Sequence, residues 1–466
     1  MIKGPSRGPF FVSCIMAKAK TTFVCQDCGA TAPKWIGKCP SCQNWNTYVE
    51  ELIPAASNVT FRKPKGGLIQ NASPLSGYSS STQARIALGD AEFQRVLGGG
   101  IVPGSLILCG GEPGIGKSTL LLQTAMGFTE RPVLYVSGEE SPEQIRMRAE
   151  RIGPLRDNLY VLPETNVEAI IDQSTSLSPA LIIVDSIQTL YSSDLESSPG
   201  SVSQVRETAS MLLELAKTRH IPIILIGHIT KEGSLAGPKV LEHMVDVVLQ
   251  FEGDRYHAFR ILRTIKNRFG SAHELGIYEM HEDGLRAVTN PSALLMGEKS
   301  ASLSGSAIAA SLEGMRPLMI EIQALVSTAV YGTPQRSATG LDLRRLNMLL
   351  AVLEKRCGFK LGMKDVFLNI AGGIRVEDPA LDLAVVSAIL SSTLDVAVDQ
   401  SSAFAAEIGL SGEVRPVSKV EQRIAEATKL GFERIFISSY TRNLKPVKGI
   451  SVVTLSHVGE LHKKLF

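Results

Sequence analysis

The sequence predicts an α/β protein built on a doubly wound parallel sheet, with a small metal-binding module before it and a second α/β domain after it. Three observations support this: a glycine-rich phosphate-binding motif between a predicted strand and helix, an alternation of apolar strands and helices behind it, and two cysteine pairs near the start. A chain of 466 residues has room for about two to three domains. An apolar fraction of 44% and a charged fraction of 20% exclude a disordered or fibrous protein.

Residues 1–20 form a predicted leader, and whether they belong to the native protein is left open. They contain Lys3, Arg7 and an apolar patch too short to predict a secretory signal, and Met16 would make an equally natural start. No apolar run reaches the ~18 residues that a membrane-spanning helix requires. We therefore expect a cytoplasmic protein without a membrane contact.

Residues 21–57 are predicted to form a zinc ribbon. Two C-x-x-C pairs are separated by ten residues, and each pair can present two thiolates to one tetrahedral Zn²⁺. Disulfides or redox sites are the alternative, but the chain offers neither an export signal nor a βαβ pattern around the pairs. The predicted zinc ligands are Cys25, Cys28, Cys39 and Cys42.

The only two tryptophans, Trp35 and Trp45, lie in this module beside Lys34 and Lys38. We expect both rings to pack the small interior of the ribbon, with stacking on bases as the alternative. Residues 1–65 hold nine Lys and Arg against three acidic residues, so contact with nucleic-acid phosphates and a solvated basic tail are both open. Residues 58–82 are predicted to be a linker.

The motif G-x-x-x-x-G-K-[ST] predicts a nucleoside triphosphate site, with ATP and Mg²⁺ as the expected ligands. Its glycines allow backbone N–H groups to approach phosphates, Lys117 brings a positive charge, and the Ser118 hydroxyl can bind Mg²⁺ at a positive helix end. The candidate nucleotide-binding residues are Gly111, Glu112, Pro113, Gly114, Ile115, Gly116, Lys117, Ser118 and Thr119.

Polar residues follow three apolar runs that the sequence predicts to be parallel strands. Glu139 follows the first run, Asp185 the second and His228 the third, and ligands of such sheets bind at the carboxyl edge. We expect Asp185 to join Ser118 at Mg²⁺, and Glu139 to act as general base, with Glu140 as the second choice. For His228, phosphate sensing and a structural role both stay open.

Three short motifs extend this pattern to known families. The phosphate loop, together with Val-Ser-Gly-Glu-Glu-Ser at 136–141 and Leu-Ile-Ile-Val-Asp at 181–185, resembles the RecA-type ATPase core. Lys-Asn-Arg-Phe-Gly at 266–270, with the four-cysteine module, resembles the bacterial RadA (Sms) family of DNA repair and recombination proteins. The resemblance covers nearly the whole chain from Met16 onward.

The resemblance implies a RecA-like ATPase domain at 83–288 in which Lys266 and Arg268 reach the nucleotide of an adjacent subunit. It therefore implies a homo-oligomer, expected as a hexameric ring. The implied activity is DNA-dependent ATP hydrolysis that drives helicase-like branch migration on single-stranded and branched DNA, with the RecA recombinase as a candidate partner. Lys231 and Lys239, in the loop after His228, are candidate DNA contacts, and an ordinary surface loop is the alternative.

Residues 289–466 are predicted to form a second α/β domain that resembles the proteolytic domain of Lon-type proteases, through Gly-Glu-Val-Arg-Pro-Val at 412–417 before a helix. Such proteases need a Ser nucleophile and a Lys base, whereas Ala380 and Glu421 occupy these places in the expected alignment. We therefore expect a non-proteolytic domain. The rival functions are a Lon-like peptidase with a shifted Ser387 or Ser391 and Lys419 dyad, and a KaiC-like nucleotide-switched regulator without DNA.

The early part of this domain is basic. A solvated helix face and a DNA contact are both open for its cations, which are Arg336, Arg344, Arg345, Lys355, Arg356, Lys360 and Lys364.

Overall fold

The computed structural model describes residues 20–26, 29–53, 85–128, 131–228, 239–253, 259–296, 303–329, 332–442, 444–445 and 447–466. The N-terminal module is a three-stranded antiparallel sheet of order β2-β1-β3. Its strands are β1 (Lys20–Cys25), β2 (Thr31–Ala32) and β3 (Tyr48–Ile53). Its buried cluster is small and consists of Cys25, Ala32, Cys39 and Tyr48.

The central domain is built on a nine-stranded sheet of order β12-β11-β10-β9-β4-β8-β7-β5-β6. Its strands are β4 (Leu106–Gly111), β5 (Val133–Ser137), β6 (Leu159–Leu162), β7 (Leu181–Asp185), β8 (Ile223–His228), β9 (Val247–Gly253), β10 (Phe259–Asn267), β11 (Leu275–His281) and β12 (Gly284–Ala287). Its helices are α1 (Ala91–Val96), α2 (Lys117–Gly127), α3 (Pro142–Ile152), α4 (Val167–Leu177), α5 (Val202–Arg219) and α6 (Lys239–Met244).

The predicted doubly wound parallel sheet is confirmed for six of these strands. β6, β5, β7, β8, β4 and β9 are parallel, and separate apolar clusters cover the two faces of the sheet. α3 begins as expected, with Ser141 as N-cap, Pro142 in the first turn and Gln144 completing a capping box. The antiparallel pairing of β10-β11-β12 was not predicted, and neither were α4 and β6, a half-exposed edge strand of only four residues.

The C-terminal domain contains a seven-stranded mixed sheet of order β15-β16-β14-β13-β17-β20-β21 and a separate hairpin, β18-β19. Its strands are β13 (Ser306–Glu313), β14 (Arg316–Thr328), β15 (Arg336–Thr339), β16 (Lys364–Ile370), β17 (Ser402–Ala405), β18 (Glu407–Ile408), β19 (Val414–Arg415), β20 (Arg434–Ser438) and β21 (Ser451–Leu455). Its helices are α7 (Pro291–Leu295), α8 (Leu343–Cys357), α9 (Asp382–Leu394), α10 (Val420–Lys429) and α11 (Gly459–Leu465).

The two α/β domains pack against each other through β10 and β11. Ile261, Leu275 and Ile277 belong to the same buried cluster as the core of the C-terminal domain. Ion pairs cross this junction, from Arg263 to Glu313 at 3.2 Å and from Arg316 to Glu92 at 2.5 Å. The described residues contain no helix that is both long and apolar enough to cross a membrane.

Candidate functional site

The phosphate loop connects the buried strand β4 to the first turn of α2. Gly116 has a φ of +112°, which favours glycine, and a Cβ there would lie only 2.8 Å from the Cε atom of Met280. Glu112, Pro113 and Gly114 are exposed, whereas Ile115 is buried beneath them. Ser118 and Thr119 lie half-buried in the first turn of α2, where the helix N-terminus favours an anion.

Lys117 is the first residue of α2, and its side chain folds back over the loop. Its Nζ donates hydrogen bonds to the carbonyl oxygens of Gly111 and Glu112, both at 2.8 Å. Only 4% of the residue is exposed, and burial lowers the pKa of Lys117 against the attraction of Cys109, Asp185 and Glu139. The fold therefore gathers Lys117 and the two predicted carboxylates into one electrostatic neighbourhood.

Tyr135 lies between the two residues expected at Mg²⁺ and was missed by sequence reasoning. Its hydroxyl donates to Oδ2 of Asp185 at 2.7 Å and also takes part in a hydrogen bond with the Ser118 side chain. Burial first, and then the charge of Asp185, raise the pKa of Tyr135 well above its usual value, so it stays a protonated donor. A phenol within the otherwise apolar run Val-Leu-Tyr-Val was the available signal.

The structure separates Glu139 from Glu140. Oε1 of Glu139 accepts a hydrogen bond of 2.7 Å from the Ser186 hydroxyl, directly after Asp185. Glu140 instead forms an ion pair with Arg148 on α3. Glu139 is thus the carboxylate that lies against the end of β7, beside Asp185.

His228 lies at the end of β8, where its backbone is paired in parallel register with Gly111. This register brings it to the same edge of the sheet as the phosphate loop, but its side chain lies outside the described residues. The candidate DNA loop also lies outside them, including Lys231, and of Lys239 only the backbone is described, at the start of α6.

A second residue that the sequence did not reveal is Arg260 on β10. Its Nε donates to the carbonyl oxygen of Ile115 in the phosphate loop at 3.1 Å. The two residues are far apart in sequence and meet only because β10 folds back beside β9. No local motif marks this contact.

Lys266 and Arg268 lie toward the opposite edge of the sheet from the phosphate loop of the same chain. Lys266 is aligned with Val248 on β9, which is aligned with Leu108 on β4, whereas the phosphate loop follows the other end of β4 at Gly111. In this position Lys266 Nζ donates to the carbonyl oxygens at the end of α6, of Glu242 at 2.7 Å and Val245 at 2.9 Å.

Partial burial, and then the charge of Arg268, lower the pKa of Lys266. The Arg268 side chain is exposed. Neither cation is directed at the nucleotide loop of its own chain.

The predicted zinc ligands converge in the N-terminal module. The Sγ atoms of Cys25, Cys39 and Cys42 all lie within 4.8 Å of one another, which suits thiolates around one Zn²⁺. The fourth predicted ligand, Cys28, lies outside the described residues. The residues present therefore fit zinc, and they show three of the four expected ligands.

The prediction that the two tryptophans pack inside the ribbon is wrong. Trp35 is 54% exposed and Trp45 is 69% exposed, while the small interior is occupied by Cys25, Cys39 and Tyr48. A sheet of this size has too little volume to enclose two indole rings once thiolates occupy its centre.

The turn that carries Ala380, the expected Ser place of a Lon-type protease, contains a buried ion pair. Arg423 on α10, which is 1% exposed, contacts Asp378 at 2.5 Å, two residues before Ala380. The expected alignment put Glu421 at the Lys place, but Glu421 is exposed and Arg423 is the α10 residue that faces this turn. Glu421 and Arg423 are two positions apart, so they lie on different faces of α10.

The alternative serine nucleophiles are held by the backbone. The hydroxyl of Ser387 donates to the carbonyl oxygen of Leu383 at 2.7 Å, and that of Ser391 donates to Val396 at 2.5 Å. Both residues are completely buried in α9. Lys419 is exposed, and its Nζ contacts Gly314 and Met315.

Comparison with known proteins gives three family matches along the chain. Residues 23–50 match the rubredoxin metal binding domain, residues 81–234 an AAA domain, and residues 320–441 subunit ChlI of Mg-chelatase. With the geometry above, these matches make the N-terminal module a zinc ribbon, the central domain an ATPase core of the RecA-like class, and the last domain Lon-protease-like.

Relatives extend over nearly the whole chain. The DNA repair protein RadA of Bacillus subtilis is 51% identical, covering 96% of this chain and 98% of the relative. That of Listeria monocytogenes is 49% identical, covering 96% and 99%. A crystal structure of the RadB recombinase covers 43% of this chain at 24% identity, with a TM-score of 0.36. The identity and coverage of the two RadA relatives show that the chain belongs to the RadA family of DNA repair proteins.

Proposed function

We propose that this chain is a DNA-dependent ATPase that moves on single-stranded or branched DNA during homologous recombination and repair. The observation that carries the proposal is the division of cations between two edges of one sheet. Lys117 lies with Asp185 and Glu139 at one edge, and Lys266 and Arg268 lie toward the other. A complete nucleotide site then needs two chains, and a ring, expected as a hexamer, supplies such a pair at every interface.

Each residue at the first edge has a role that follows from its contacts. Lys117, already hydrogen-bonded to loop carbonyls, would turn its ammonium to the phosphates and neutralise charge there. Glu139, held by Ser186, would accept the proton of the attacking water. Ser118 and Asp185 would hold Mg²⁺, which when bound neutralises charge that develops on the phosphates.

The second edge would complete the site of the neighbouring chain. Lys266 is near the end of β10 and Arg268 directly follows the strand, whose other end contacts the phosphate loop through Arg260. Two cations so close together suit phosphate oxygens. If assembly brings them to the nucleotide bound by the adjacent chain, hydrolysis depends on oligomerisation.

DNA contact is proposed for the exposed cations of the C-terminal domain. Arg344, Lys355 and Arg356 on α8 and Lys360 after it are exposed, in positions open to a phosphate backbone. Arg345 is excluded from this role, because it is paired with Asp382. The RecA recombinase is kept as a candidate protein partner on the family membership alone.

The peptidase alternative is weak on the described contacts. It would require Ser387 or Ser391 to leave a buried backbone hydrogen bond, and Lys419 to enter a position that Arg423 and Asp378 fill. A KaiC-like switch without DNA would use the same nucleotide residues, so only a DNA-dependence measurement separates it from the motor.

The test is the ATPase rate of the full chain with no DNA and with single-stranded, duplex and forked DNA. We expect stimulation that is greatest with single-stranded or forked DNA, and a loss of at least about 100-fold in both Lys117→Ala and Lys266→Ala. Lys429→Ala, at an exposed lysine of α10, is the matched control and should behave as wild type. The absence of both stimulation and DNA binding at moderate salt would refute the motor and favour the switch.

A mixing experiment tests the shared site directly. Equal amounts of Lys117→Ala and Lys266→Ala chains should recover activity, because about a quarter of randomly formed interfaces combine an intact half from each chain. Mixtures that stay inactive, although the subunits exchange, would contradict action across the interface.

A further inference from the structure

The zinc ribbon presents an exposed aromatic surface that the ATPase mechanism does not use. Trp35 is 54% exposed and Trp45 is 69% exposed, and Lys34 and Lys38 are their close neighbours in sequence. We call Lys34, Trp35, Gly37, Lys38 and Trp45 the tryptophan face. Exposed indole rings are costly in water, so two of them together on one small module indicate a ligand.

The two rings are neighbours in space because the second cysteine pair closes the chain between them. Lys38 and Trp45 form an antiparallel bridge, and the backbone N–H of Asn46 donates to the carbonyl oxygen of Gly37 at 2.7 Å. A methyl group added at Gly37 would lie 3.6 Å from the Trp35 ring and 3.8 Å from the Trp45 ring. Both indoles therefore flank one backbone position.

The charge around these rings favours an anionic partner. Residues 29–49 contain Lys34 and Lys38 and no acidic residue. The Lys38 Nζ lies 5.7 Å from the centroid of the Trp45 ring, in the range of a cation–π contact. The surface thus combines flat apolar rings with an ammonium group beside them.

We propose that the tryptophan face binds single-stranded DNA, with bases stacked on Trp35 and Trp45 and phosphates next to Lys34 and Lys38. Every base has a face that can stack on an indole, so the binding does not depend on sequence. In duplex DNA the base faces are already stacked on each other, so this surface selects single strands. The inference rests on the proposed function only in taking DNA as the natural ligand.

The tryptophans also supply the signal for the test, since they are the only two in the chain. Oligo(dT) titrated into the full zinc-loaded chain without nucleotide should quench tryptophan emission, and duplex DNA of equal length should quench it far less. Emission that does not change at saturating oligo(dT) overturns the proposal.

Substitution separates stacking from charge. In fluorescence anisotropy with labelled oligo(dT), Trp35→Ala with Trp45→Ala should weaken binding by about tenfold or more, whereas the Phe pair should keep most of the affinity. Lys34→Gln with Lys38→Gln should reduce the salt dependence of binding. Tyr160→Ala, at an exposed aromatic residue of β6, is the matched control and should bind as wild type.

Zinc content of one ion per chain shows that each variant retains its ribbon. Wild-type affinity for oligo(dT) in the double Ala variant overturns the proposal. If the only defect of the double Ala variant is a loss of self-association, the proposal is also overturned, because the tryptophan face would then bind a second copy of the chain. DNA-stimulated ATPase activity with unchanged tryptophan emission contradicts this inference alone. Quenching by oligo(dT) without any ATPase stimulation contradicts the motor and leaves the inference standing.

Discussion

Lys117 and Arg423 are both buried cations in the first turn of a helix, one in the ATPase core and one in the C-terminal domain, and their partners differ. Lys117 donates to loop carbonyls, while the nearby Asp185 receives its hydrogen bond from the neutral Tyr135. Arg423 contacts a carboxylate directly, at Asp378. In the first domain the hydrogen bonds described for Lys117 and Asp185 are made with neutral groups, and in the second the cation and the carboxylate pair directly.

The difference separates a site prepared for a ligand from a site that completes a fold. A carboxylate held by a hydroxyl keeps its negative charge available for a metal ion, and an ammonium held by carbonyls can exchange them for phosphates. The two charges of a buried ion pair are not available to a metal ion or to phosphates. The pair instead stabilises the fold, because neither charge is buried without a partner. The Lon-like turn therefore holds an internal ion pair at the place where the ATPase core has groups available to a ligand.

The largest expected effect is at the ion pair. Arg423→Met should lower the free energy of unfolding by about 3–5 kcal/mol, because it leaves Asp378 buried without its cation. Adding Asp378→Asn, which removes the charge but keeps an oxygen for the cap at Ala380, should recover part of the loss. Urea unfolding of the two single variants and the double variant measures the coupling.

Arg415→Met is the matched control, since Arg415 is 52% exposed and paired with Glu413. It should change the stability by at most about 0.5 kcal/mol. An Arg423→Met chain as stable as this control would mean that the pair contributes nothing to the fold.

A smaller effect concerns Glu313, which lines one cleft together with Arg423 and Asp378. Burial raises the pKa of Glu313 from 4.5 to about 7, against the pull of Arg263 and with support from Asp378 and Glu377. Because the folded state holds this proton more tightly than the unfolded state, its contribution to stability is complete below pH 4.5 and is lost as the pH rises through about 7. Glu313→Gln should remove on the order of 3 kcal/mol of this pH dependence, measured by urea unfolding at several pH values.

Glu433→Gln, at an exposed side chain that is not among the charges acting on Glu313, is the comparison variant and should keep the wild-type pH profile. If Glu313→Gln keeps it as well, Glu313 is ionised throughout and belongs with Asp378 as a fully charged partner.

The smallest effect is at the hydroxyl that keeps Asp185 available. Tyr135→Phe should raise the Mg²⁺ concentration needed for half-maximal ATPase activity by about tenfold, because Asp185 and Ser118 lose the group that orients them. Tyr160→Phe is the matched control on the same sheet. An unchanged Mg²⁺ requirement in Tyr135→Phe would mean that the Tyr135 hydroxyl has no part in metal binding. The difference between the ATPase site and the Arg423–Asp378 ion pair would then not depend on this hydroxyl.

What the sequence could predict in these sites follows from how local each interaction is. The phosphate loop and the strand ending at Asp185 are continuous runs whose residue types dictate their geometry, so both were located in advance. Tyr135 and Asp185 are 50 positions apart, and Ile115 and Arg260 are 145 apart. Such contacts depend on strand order, which periodicity does not encode.

The tryptophans and Arg423 show two other limits. Apolar character predicted burial for Trp35 and Trp45, but a metal-centred module has no room for them, and domain size overrode side-chain preference. At α10 the resemblance to proteases drew attention to a helix that does contact the turn before Ala380, but it gave no sign that the buried Arg423 makes this contact.

β10 joins three parts of the molecule by one short length of backbone. Arg260 contacts the phosphate loop, Arg263 pairs with Glu313 of the C-terminal domain, and Lys266 closes the end of α6. From Arg260 to Arg263 the strand is paired with both β9 and β11, whereas its register against β9 shifts between Thr264 and Lys266. A displacement of the doubly paired part of β10 would therefore act on the phosphate loop through Arg260 and on the C-terminal domain through Arg263 at the same time.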